Sequence, residues 1–125
     1  MNPMNSQTEL RRQVHPSWIQ DGVVTSQAFK PTPKDTGKLS TYHGDLISPE
    51  ASWKHYTTVL QNASKGVQAV TVNECGGEGL KVDANGIPYK EHVAVDFTGT
   101  ATSQWDKVAK RLKRAAAARG WQYQA

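Results

Sequence analysis

The densest run of groups able to do chemistry lies between Ala28 and Leu60, AFKPTPKDTGKLSTYHGDLISPEASWKHYTTVL, which holds Lys34, Asp35, Ser40, Tyr42, His43, Asp45, Lys54, His55 and Tyr56. Ser40, His43 and Asp45 are a nucleophile, a base and an orienting carboxylate close together in sequence, a set that could serve hydrolysis or group transfer. On a strand, however, Ser40 and His43 are an odd number of residues apart and point to opposite faces, which favours a structural histidine at a strand end. Lys34, Asp35 and Tyr42 sit on or beside a stiff loop flanked by Pro31 and Pro33, a good mount for groups that face a partner. That arrangement reads as binding rather than catalysis.

Other groups carry less. His43, Asp45, His55, Cys75, His92 and Asp96 include no pair at HxxxH or CxxC spacing, so neither metal nor cofactor is expected. His92 and Asp96 share a strand face, which an ordinary side-chain pair explains. Cys75 is the only cysteine, allows no internal disulfide, and closes an apolar run as a small hydrophobe would. Gly76-Gly77-Glu78-Gly79 lacks the Lys-Ser/Thr ending of a phosphate-binding loop, and Glu78 would repel a phosphate.

The clearest electrostatic feature is at the C-terminal end. Residues 103–125 contain Lys107, Lys110, Arg111, Lys113, Arg114 and Arg119 against Asp106, a net +5 out of a chain total of +4. Trp105, Val108, Ala109, Leu112, Ala115 and Ala116 recur at helical spacing, so one face docks while Lys107, Lys110, Arg111, Lys113 and Arg114 stand off the apolar stripe. Such a rod suits an acidic protein partner or the phosphates of a nucleic acid, with Trp121 and Tyr123 beside it for stacking on bases. The plainer account is a solvated face.

The elements that must carry these groups follow from pattern. Residues 1–13 are polar and show neither period, so they read as a mobile arm with at most a turn of helix near Glu9 to Gln13. Asp21-Gly22 predicts a hairpin ahead of VVTSQAF. Lys38 to His43 alternates as a half-buried strand, and Ser48-Pro49-Glu50 opens a helix whose stripe is Trp53, Tyr56, Val59, Leu60 and Ala63. Val67 to Cys75 reads as one strand covered on both faces, the candidate for the centre of the sheet. Leu80 to Val82 suggests an edge strand and His92 to Phe97 another strand, before the basic helix stopped by Gly120.

These elements make a single α+β domain over residues 14–120: a mixed or antiparallel sheet of about four or five strands, ordered β-β-α-β-β-α, with two helices on one face and an aromatic tail at 121–125. At 125 residues, 37% hydrophobic and 21% charged, the chain is long enough for one core and too apolar for global disorder. The lack of an apolar run near Met1 or of membrane-spanning length predicts the cytoplasm.

The stretch from His15 to Tyr56, with the segments HPSWI, DGVVTSQAFKPTPKD and LSTYHGD, resembles small bacterial and phage proteins that share an F-x-P-x-x-x-D pattern followed by L-S. The resemblance covers about a third of the chain, carries no catalytic residues with it, and implies an accessory or conflict-system protein. The expectation is therefore a non-enzymatic interaction protein that binds an acidic macromolecule through Lys107, Lys110, Arg111, Lys113 and Arg114 together with Lys34, Asp35, Tyr42 and His43. Nucleic-acid binding by the same helix is the first alternative, and a small hydrolase or transferase with a His/Asp site within residues 34–56 the second.

Overall fold

The computed structural model describes residues 4–32 and 36–125. Its principal element is a six-stranded antiparallel sheet built from β1 (Glu9–Gln13), β4 (Lys38–His43), β5 (Gly66–Thr71), β6 (Lys81–Asp83), β7 (His92–Asp96) and β8 (Tyr123–Gln124). The spatial order is β6-β7-β4-β1-β5-β8, and β2 (Ile19–Gln20) with β3 (Val23–Val24) forms a separate two-stranded hairpin. The turn of that hairpin is the expected Asp21-Gly22, both at positive φ (51° and 77°), the geometry that matches strand twist. Residues Ser26–Phe29, read with the hairpin as strand, form instead a short 3-10 helix.

The reading of residues 1–13 as a mobile arm is corrected at its second half. Glu9–Gln13 is an inner strand, paired with β4 on one side and β5 on the other. Its polar sequence hides this role because its arginines are buried by hydrogen bonding rather than by apolarity. Arg11 reaches the carbonyls of Ile47 (3.1 Å) and Gly44 (3.2 Å), and Arg12 those of Ala28 (2.7 Å) and Ser40 (2.9 Å). Donors matched in this way remove most of the cost of burial.

Register separates the two faces. Leu10 lies opposite His43 and Val70, while Arg11 lies opposite Tyr42 and Ala69. The first face is apolar: Leu10, Leu39, Val70, Val93 and Val95 pack with Phe29 and with Val108, Ala109, Leu112 and Ala116 of α3 (Trp105–Arg119). Each valine, leucine or phenylalanine among them contributes about 1.5–3 kcal/mol when fully buried. The stripe expected for α3 is therefore the one that docks, and Gly120 ends the helix at φ 89°.

The second face is polar and carries α1 (Pro49–Lys54), which Ser48 caps by accepting from the Ala51 N–H at 3.1 Å. Here Gln13 donates to Ser52 (3.1 Å) and Ser64 donates to Gln13 (2.9 Å). The helices thus occupy opposite faces of the sheet, not one. The apolar stripe expected for α1 is not its buried side: Ser52 is the buried residue, and Val59 is 67% exposed. Past Lys54 the helix loosens into a π-helical turn, His55–Val59, where the Thr57 and Thr58 hydroxyls bond the carbonyls of Trp53 (2.8 Å) and Lys54 (2.5 Å). Hydroxyls that bond back four residues compete with the backbone ladder.

Two further expectations shift. Val67 to Cys75 is a strand only to Thr71, after which α2 (Val72–Gly77) starts from a reciprocal cap between Thr71 and Glu74. That strand lies one place from the centre of the sheet, which β4 and β1 share. The aromatic tail is the sixth strand, with Val67 opposite Tyr123. Gly66 permits it, since a Cβ there would overlap the Tyr123 carbonyl and sit 2.9 Å from the Trp121 ring. Among the described residues, no helix is long and apolar enough to cross a membrane.

Candidate functional site

The sheet is nearly split. β1 pairs with β5 over five residues and β4 with β7 over five, but β1 pairs with β4 over two, Leu10↔His43 and Arg11↔Tyr42, extended at one end by the Gly44 N–H on the Glu9 carbonyl at 2.7 Å. Beyond Arg11 the strands diverge, and Arg12 bridges the opening from β1 to the Ser40 carbonyl on β4. Its guanidinium lies 4.9 Å from the centre of the Trp18 ring, a cation–π distance that holds both groups in place.

A cleft of about 500 Å³ occupies this opening. Arg12, Trp18, Thr32, Ser40, Tyr56, Leu60, Asn62, Pro88, Tyr89 and His92 line it. The rings continue behind the wall: Tyr89 stacks on Tyr42 (5.1 Å between centres) and meets His55 and His92 edge-on at 4.7 and 5.4 Å. Tyr42 Oη lies 2.7 Å from His55 Nδ1. Burial, and next the neighbouring Tyr89, pushes the Tyr42 phenol far above its usual range, so Tyr42 stays protonated.

His92 is 8% exposed, with Nδ1 2.7 Å from Asn85 Oδ1 and Nε2 3.1 Å from Ser40 Oγ. Burial lowers its pKa, against the opposing pull of Asp83, so the ring is neutral at pH 7. Ser40 is exposed. A hydroxyl and an imidazole therefore meet at the cleft, with a carboxamide bonded to the far side of the ring, a geometry suited to deprotonating an alcohol.

The constellation expected within residues 34–56 is rearranged. Ser40 takes part, but with His92, 52 residues away. His43 is 2% exposed on the core face, where its Nδ1 accepts from the Asp45 N–H at 3.2 Å, and Asp45 accepts from Thr8 at 2.8 Å. Tyr42 is likewise 2% exposed, so neither Tyr42 nor His43 can present itself to a macromolecular partner. Lys34 and Asp35 lie outside the described residues. His92 and Asp96 do not meet; Asp96 instead accepts from the Thr98 N–H and hydroxyl. Among the described residues no cluster of three potential metal ligands occurs. Cys75 is fully buried, and burial together with Glu74 and Glu78 pushes its thiol up to about 12.

The basic helix is only partly available. Arg111 is paired with Glu78 at 2.6 Å. Arg119 binds Glu74 (2.9 Å) and donates to the Ala69 carbonyl (2.8 Å). Lys107 is exposed, while Lys110, Lys113 and Arg114 line a second groove of about 420 Å³ against Val23, Val24, Thr25 and Ser26 of the hairpin region.

Comparison with family models, curated proteins and solved structures finds no match. The site rests on its own geometry.

Reading by residue pattern missed Arg12, His92 and Asn85 as parts of one place. Only Asn85 had a local signal, as part of the Asp83-Ala84-Asn85-Gly86 turn. Arg12 was hidden in a polar strand, and the pairing of β4 with β7 leaves no trace in spacing.

Proposed function

We propose that the cleft in the split sheet binds a nucleotide and that the protein is a small nucleotide-dependent transferase or hydrolase. The observation that carries this reading is the convergence of a fixed guanidinium, Arg12, with the rings of Trp18, Tyr56 and Tyr89 in the lining of one opening. A guanidinium suits phosphate oxygens, aromatic rings stack on a base, and the volume falls in the range of small-ligand sites.

Titration of the full chain with a panel of mono- and dinucleotides, read by tryptophan fluorescence, tests this. Saturable quenching that weakens in Tyr56→Ala and Trp18→Leu is expected; no response to any nucleotide at millimolar concentration overturns it.

A second reading concerns a different surface. Lys110, Lys113 and Arg114 converge on one groove beside the edge of the hairpin, which favours an extended acidic protein segment as partner. Charge reversal at Lys110, Lys113 and Arg114 should abolish binding to a polyglutamate peptide at low salt. If the unmodified protein ignores the peptide yet binds single-stranded nucleic acid with steep salt dependence, the partner is nucleic acid instead.

A further inference from the structure

The hydrogen bonds around His92 determine where its proton resides. Asn85 Oδ1 accepts from the Ile87 N–H at 3.3 Å, which fixes the carbonyl end of that amide toward His92. Nδ1 of the ring, 2.7 Å from the same oxygen, must therefore be the nitrogen that carries hydrogen. Nε2 is left as an acceptor, and the group within reach is Ser40 Oγ at 3.1 Å. Ser40 lies opposite Ala94 and Tyr42 opposite His92, so Ser40 and His92 are diagonal neighbours on one face of adjacent strands. Both open into the cleft beside Arg12.

We propose that Ser40 is a nucleophile toward a phosphoryl centre bound in the cleft, with His92 as its base and Asn85 as the residue that positions the base. In the step, Ser40 Oγ forms a bond to phosphorus while the bond from phosphorus to the leaving oxygen breaks. The hydroxyl proton passes to His92 Nε2 and from there to the leaving oxygen. Water, deprotonated by the same nitrogen, then cleaves the phosphoserine and restores the hydroxyl. The Arg12 guanidinium, anchored 2.9 Å from the Ser40 carbonyl, lines the same cleft, so its positive charge favours the negative charge that gathers on the phosphoryl oxygens. The lowered pKa of His92 keeps its nitrogen free to accept a proton at neutral pH. The groups facing the ring are Asn85, Ser40, the edge-on Tyr89 with His55 beyond it, and Asp83 on β6.

This inference rests on the cleft being a substrate site, and one experiment separates the two. The full chain is treated with a fluorophosphonate, which loses fluoride as a serine oxygen bonds to phosphorus, and the product is read by intact mass and peptide mapping across pH. A single adduct on Ser40 is expected, with a rate that rises through a midpoint below the ordinary histidine value. His92→Ala should slow labelling by on the order of a hundredfold. Asn85→Ala should slow it as well, whereas Asn85→Asp should restore the rate and move the midpoint upward, because a carboxylate stabilises the imidazolium; a merely structural Asn85 would not move the midpoint. An adduct elsewhere, no adduct, or a Ser40 adduct formed equally fast in His92→Ala overturns the proposal. Nucleotide titration of Ser40→Ala, with its fold checked by circular dichroism, distinguishes the failures: retained quenching leaves the cleft as a binding site without this nucleophile, and quenching absent from the unmodified protein too removes both.

Discussion

Arg12 joins stability to function in a single side chain. It is 8% exposed, its Nε and Nη1 satisfy the carbonyls of Ala28 and Ser40, and it lines the cleft. Arg12→Met keeps most of the volume but leaves two carbonyls without these donors. It should cost about 2–4 kcal/mol in urea unfolding, since a buried polar group stripped of its partner loses about 1–3 kcal/mol. Arg12→Lys keeps the charge but not the planar fork, so nucleotide affinity should fall while the fold is better preserved. At this scale sequence reading was weakest. Ser40 was visible as a candidate nucleophile, but its partner His92 was not, because strand alternation rules out the near histidine without naming the distant one.

Among the elements, α2 shows how a local signal can be overridden in reading. Thr71 and Glu74 have the spacing of a reciprocal helix cap, yet the apolar run from Val67 reads straight through it as strand. The cap is formed: Glu74 N–H donates to Thr71 Oγ1 at 3.1 Å, and Thr71 N–H to Glu74 Oε1 at 2.8 Å. Thr71→Ala should therefore lower stability by about 1 kcal/mol, measured by denaturant midpoint. Glu74 also supplies a pH signature. Burial alone would raise its carboxyl, but Arg119 and then the Thr71 N–H outweigh burial and hold the pKa below the ordinary value of 4.5. A depressed pKa means that the unfolded chain binds the proton first, so the contribution is complete above about 4.5 and is lost as pH falls through the lower folded value. Glu74→Gln should flatten the acid limb of the stability curve. By contrast the Ser48-Pro49-Glu50 start and the α3 stripe were legible because each depends on residues within one or two turns.

For the whole molecule, the decisive feature is a sheet whose two halves meet at two residue pairs. Since β1 stands between β4 and β5, a chain lacking residues 1–13 exposes two strand edges at once. It should lose cooperative thermal unfolding by circular dichroism; a sharply melting truncated protein would show that β1 is dispensable. Composition and periodicity determined by themselves an α+β chain with the Asp21-Gly22 hairpin, the Ser48 cap and an amphipathic basic helix, because turn chemistry and helical spacing act over a few residues. Tertiary structure alone decided that the polar Glu9–Gln13 is an inner strand, that the helices lie on opposite faces, and that Arg12, Ser40 and His92 share one cleft with Asn85 bonded to His92. The reason is physical: burial of an arginine and the pairing of distant strands depend on which carbonyls and side chains arrive from elsewhere, and neither is written in the spacing of neighbouring residues.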